Sequence, residues 1–190
     1  MNQRNVQHLT AKELIWNVYV SQLIFLAAAV LLSIFFELEQ PWRVPQQDGL
    51  GFIPVVLASV ACALFLSLAM KKRLVRDKWD DGGINEILFS SLSGWHIWLM
   101  AAVIAFCEEY LFRGALQPLI GITGSSLIFA FLHFRYVNKP YLLLFVVLLS
   151  LWLGVLYEYS GTIWMPFLFH FLFDAISGML LAKESKKNTD

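Results

Sequence analysis

Residues 52–70 contain no charged side chain, and residues 14–36 and 141–157 repeat the pattern. A helix needs about 20 apolar residues to cross a bilayer. In hydrocarbon the backbone must satisfy its own hydrogen bonds, so runs of this kind fold as helices packed side by side. Composition agrees: of 190 residues 58% are hydrophobic and 15% charged, with mean hydropathy +0.64. The chain is expected to be an all-α integral membrane protein, a single transmembrane domain over residues 1–190.

Six spans are expected. Thr10-Ala11-Lys12-Glu13 has the form of a capping box ahead of the first, residues 14–36. Residues 37–51, with Pro41 and Pro45, read as a loop, and residues 52–70 as the second span. The basic stretch 71–78 marks the cytoplasmic side. Residues 84–95 suit a short interfacial helix. The third span starts near His96, and Gly114 and Pro118 are expected to weaken or kink it. Gly121 to Gly124 reads as a turn, with Ser125 or Ser126 as the cap of the next helical run. The run 127–134 is short for a span: it is either the end of a kinked span from near Leu116 or a short helix buried in protein. Residues 141–157 and 164–182 are the fifth and sixth spans. The lysines of the tail, Lys183, Lys186 and Lys187, belong on the same side as the basic loop, which favours an even number of crossings between them and both termini in the cytoplasm.

Against this background Glu108 and Glu109 stand out, adjacent carboxylates at the end of an apolar run. An acidic side chain at the centre of a membrane helix costs roughly 2.5–3.5 kcal/mol on insertion scales, so such residues face protein or water and have partners. Glu109 and Arg113 are four apart and share a helix face. Glu108 points about 100° away with no local partner in sight. Two further apolar stretches carry ionisable groups: His133, four after Phe129, and the pair His170 and Asp174, four apart. Each alone has a bland reading as a packing histidine or a self-satisfied pair. Together, on three separate helices, they predict convergence on one wet cavity. A carboxylate and a histidine facing water can make it a nucleophile, and a second histidine beside Asp174 can stabilise an oxyanion. The same groups could hold a divalent metal such as zinc, since imidazole and carboxylate are zinc ligands, or work without one. Cys62 and Cys107 lie in apolar runs and read as small apolar filler. The zero net charge gives no reason to expect nucleic acid.

Glu108-Glu109-x-x-x-Arg113, Phe129-x-x-x-His133 and His170-x-x-x-Asp174 resemble, in order, the three motifs of the CAAX prenyl protease-like family, type II intramembrane endopeptidases also called the CAAX protease and bacteriocin-processing group. The family-like catalytic core covers about residues 95–182. The resemblance implies that Glu108 and His133 activate water, that His170 and Asp174 stabilise the oxyanion, and that Glu109 and Arg113 support the helix carrying the base. It implies a peptide or protein substrate at the bilayer, membrane-associated or lipid-modified, and leaves metal use open. Asp174 stands where eukaryotic relatives usually show asparagine; an ionised carboxylate cannot donate to an oxyanion. Two other readings compete: a membrane immunity or interaction protein of the same fold, and a proton-coupled transporter with a buried relay. A bacterial cell membrane is the expected location.

Overall fold

A computed structural model describes residues 10–42, 51–73 and 83–189, leaving side chains 73, 188 and 189 aside. Residues 1–9, most of the basic stretch and part of the 37–51 loop lie outside the described residues. The helices are α1 (Ala11–Phe35), α2 (Ile53–Arg73), α3 (Ile84–Ser90), α4 (Gly94–Glu109), α5 (Gln117–Leu132), α6 (Pro140–Ser160) and α7 (Trp164–Thr189). A π-helical turn, Tyr110–Leu116, joins α4 to α5. No strand occurs among the described residues.

The capping box is formed. Thr10 accepts from the Glu13 N–H through its hydroxyl at 3.3 Å, and Glu13 accepts from the Thr10 N–H at 2.7 Å. This satisfies donors that the first turn of a helix leaves open. Leu23, Leu31, Phe65 and Leu148 are exposed on the outer faces, as suits helices whose surroundings are as apolar as their cores. Three buried clusters tie the helices together. Val56, Val60, Leu153, Leu156, Met165 and Phe169 join α2, α6 and α7. Leu14, Leu88, Leu92, Ile97, Met100 and Ala182 close the end where α1 begins and α7 finishes. Ala29, Leu111, Phe112, Ala115 and Phe129 join α1, the π-turn and α5. Leu14 and Ala182 share a cluster, so the start of α1 and the last turns of α7 lie at the same end of the bundle.

The all-α membrane bundle expected from the sequence is what forms, with the fourth of its six expected spans reduced to a short helix. Five stretches are long and apolar enough to cross a membrane, and the third of these, Gly94–Leu132, contains a reversal. Gly121, at φ 72°, has the non-helical backbone inside α5, a left-handed value that costs glycine little. The Ser125 hydroxyl then donates to the Phe112 carbonyl at 2.6 Å, a distance that an uninterrupted helix could not give residues thirteen apart. Residues 122–132 therefore run back beside the π-turn as a short helix packed against α6, and the expectation that such a helix would be buried in protein is met on one face only, since Leu127 and Phe131 are exposed. Ser125 is a tertiary anchor and not a helix cap, and Ser126 is likewise buried within the helix.

The kink expected at Gly114 and Pro118 is a widening instead. The N–H of Gln117 bonds to the carbonyl of Phe112, five residues back, and the chain passes through Pro118 without breaking. Gly114 has no room for a side chain, because a Cβ would lie 2.9 Å from Pro41 and from the Tyr110 ring. The interfacial helix is shorter than expected: α3 stops at Ser90, and Trp95 belongs to α4. His96, in the first turn of α4, has its Nε2 2.8 Å from the Tyr19 hydroxyl of α1.

Candidate active site

Glu108 and Glu109 end α4, directly before the π-turn. A π-turn shifts the side chains that come after it relative to those before, and such insertions recur at functional sites. Both carboxylates are buried, yet they face different surroundings.

Glu109 is fully enclosed. Arg113 Nε lies 3.2 Å from its Oε2, and an Arg113 Nη donates to its Oε1 at 3.3 Å, the expected i,i+4 pair. The other Arg113 Nη donates to the Ser150 carbonyl at 2.8 Å and to the Ser150 hydroxyl at 2.9 Å. The guanidinium carbon also stands 5.2 Å from the centre of the Phe129 ring, within cation–π range. A buried guanidinium is tolerable only when its donors and charge are met in this way. On its other side Glu109 Oε1 is 2.7 Å from His170 Nδ1. A carboxylate only accepts, so Nδ1 carries the proton of that bond. Ser150, Arg113, Glu109 and His170 thus form a line from α6 through the π-turn and α4 to α7.

Glu108 has lighter company. Gln22 Nε2, from α1, donates to its Oε1 at 3.1 Å. Its Oε2 stands 3.9 Å from His170 Nε2. That same nitrogen is 3.4 Å from Asp174 Oδ2, so the pair expected to share a face of the sixth span does so. His133, just past α5, stacks on Phe129 with ring centres 4.6 Å apart. Its Nδ1 lies 2.8 Å from the Phe129 carbonyl. The carbonyl can only accept, so Nδ1 is the protonated nitrogen and the neutral ring keeps its lone pair on Nε2.

A cavity of about 760 Å³ connects these groups. Glu108, His133, His170, Asp174 and Gln22 all line it, and it extends toward Lys71 and Glu184, which pair with each other near the ends of α2 and α7. Glu109 and Arg113 do not reach it. Between the polar groups the lining is apolar, including Leu68, Phe145, Leu149 and Phe173.

Gln22 and Ser150 were not legible as site residues. Both are neutral and sit in runs that read simply as lipid-compatible helix, although a glutamine in the middle of such a run is itself a faint signal. As for metal, no group of three His, Cys, Asp or Glu side chains is arranged to hold an ion among the described residues. His170 also spends Nδ1 on Glu109. The candidates Glu108, His133, His170 and Asp174 share a cavity without forming a ligand cage.

The profile of the family described as Type II CAAX prenyl endopeptidase Rce1-like matches residues 90–176. The uncharacterized protein YpbD of Bacillus subtilis (strain 168) is 38% identical over 154 residues, covering 81% of this chain and 82% of the relative. The chain belongs to the Rce1-like family. No solved structure matches it. The family is one of proteases, so at that coarse level the protein is a hydrolase of the protease type. Its apolar helices and the Bacillus relative mark a multi-pass bacterial membrane protein.

Proposed function

We propose that the protein is an intramembrane endopeptidase that hydrolyses a peptide bond of a membrane-associated or lipid-modified substrate. The observation that carries this reading is the shared cavity: Glu108, His133, His170 and Asp174 line one apolar chamber, while the neighbouring Glu109 and Arg113 are walled off from it. Glu108 acts as general base. It takes a proton from water as the water oxygen attacks the carbonyl carbon, and it later returns that proton to the leaving amine. The unprotonated Nε2 of His133 accepts the water's other hydrogen and fixes its orientation. In its charged form His170 carries protons on both nitrogens. Nδ1–H donates to Glu109, and Nε2–H, which faces Asp174 in the resting site, is shared with the oxyanion as it develops. Asp174, 3.4 Å from that nitrogen, orients the imidazole. This role suits a carboxylate, which cannot itself donate to an oxyanion when ionised. The chain termini lie in the cytoplasm, on the side of the basic stretch.

The test compares membrane fractions of wild-type, Glu108→Ala and His133→Ala cells by mass spectrometry of peptides. A peptide made only by the wild type supports the reading. Identical peptide sets from the three strains at equal expression would end it. Elemental analysis of the purified protein, with chelator inhibition and rescue, decides metal dependence separately.

A further inference from the structure

We propose that Gln22 is a positioning residue for Glu108, and that α1 is therefore part of the functional site. This rests on the role of Glu108 as general base. Nothing in the motifs points to α1, which lies outside the matched residues 90–176. Three residues of α1 are buried, Leu14, Gln22 and Ala29, and Gln22 is the polar one. It is 4% exposed, lines the cavity, and donates from Nε2 to Glu108 Oε1 at 3.1 Å.

Geometry gives this bond its meaning. Glu108 faces His170 and Asp174 from α7, His133 from beyond α5, and Glu109 and Arg113 along its own helix. Among the described residues, the bond from Gln22 is the hydrogen bond that the Glu108 carboxylate receives from another side chain, since His170 Nε2 stands off at 3.9 Å. An amide N–H fixes one carboxylate oxygen without supplying a titrating proton of its own. With Oε1 held, Oε2 is the oxygen that faces His170. The amide's own oxygen, Gln22 Oε1, is buried with no partner. Among the described residues, the Gln22 side chain therefore makes one hydrogen bond, the one to Glu108. Packing alone would be served as well by leucine or methionine.

The experiment uses the full chain in detergent and in liposomes, with Gln22→Met as the main variant, since methionine keeps the length and flexibility of glutamine without its polar atoms. Ser33→Ala is the control: Ser33 is a half-buried residue of α1 whose hydroxyl oxygen is enclosed and has no protein partner, but it does not line the cavity. The probe is dicyclohexylcarbodiimide, an apolar reagent whose central carbon accepts a carboxyl oxygen while the carboxyl proton passes to its nitrogen. Labelling at Glu108 is followed by peptide mass spectrometry. Freed from its amide, Glu108 is expected to label at least about threefold faster in Gln22→Met and at the wild-type rate in Ser33→Ala. An unchanged rate in Gln22→Met overturns the proposal.

The second readout is hydrolysis of the peptide substrate identified from membranes. Gln22→Met is expected to lower kcat roughly tenfold or more, the usual consequence of losing a hydrogen bond to a charged group, with KM within about twofold. A raised KM with unchanged kcat would make Gln22 a substrate contact and overturn the positioning role. The two failures are separable. If Glu108→Gln hydrolyses as fast as wild type, the protease mechanism falls. Labelling then still decides whether Gln22 positions Glu108.

Discussion

Glu108 and Glu109 are neighbours in sequence and opposites in surroundings. Glu109 sits in a closed network, with Arg113 on one side and His170 on the other, and Ser150 behind the arginine. Glu108 sits on a cavity wall with one amide donor. Both carboxylates are buried, but only Glu109 is held between two cationic partners, with both of its hydrogen bonds falling on Oε1, and Oε2 facing Arg113 Nε at 3.2 Å. The lesson is that a pair of acids at membrane depth divides its labour: one fastens helices, and the other stays available. The divide runs through the whole site, since Asp174 and His133 line the cavity while Arg113 and Ser150 do not.

The contrast can be broken from either side. The largest expected effect is on chemistry. Glu108→Gln should lower peptide hydrolysis by about a thousandfold or more, as loss of a general base does, with the thermal midpoint in detergent close to wild type. A coincident loss of the folded protein would place Glu108 with the fasteners. Arg113→Ala should do the reverse first: unpairing a buried charge costs about 3–5 kcal/mol, read as a lower midpoint and poorer yield. Wild-type stability in that variant would dissolve the distinction. Lowering the pH should silence hydrolysis by about tenfold per unit once Glu108 holds its proton, because a base works only above its own pKa. A pH profile with no acid limb would remove Glu108 from that role. Smallest is Ser150→Ala, which leaves the Ser150 carbonyl in place for Arg113 and should cost about 1 kcal/mol of stability with kcat preserved.

Much of the site was readable from residue spacing, for a physical reason. Pairs within one helix follow from the helical repeat alone, so Glu109 with Arg113 and His170 with Asp174 were predictable, as was the Thr10–Glu13 cap. Bonds between helices are not encoded by spacing. The reach of Glu109 to His170, of Arg113 to Ser150 and of Gln22 to Glu108 each depends on which faces meet. The reversal point was half legible. Glycine at 121 signalled a turn, but Pro118 suggested an earlier break, and a π-turn absorbed the missing N–H instead of ending the helix. The count of spans is uneven at the same place, because residues 122–132 are apolar enough for a membrane and too short to cross one.

That stunted helix has a consequence for the wall around the chamber. Gln22 lies eleven residues beyond the start of α1, so at 1.5 Å per residue α1 extends about 16 Å from the level of Glu108 toward the end where α7 finishes. On the opposite flank α5 stops at Leu132, and His133 already borders the chamber. The palisade is therefore uneven, tall along α1 and cut low beside α5, with Arg135 reaching Asn85 across the low side. The exposed Phe131, Phe134 and Val137 put this low stretch of wall in contact with the acyl chains of the bilayer.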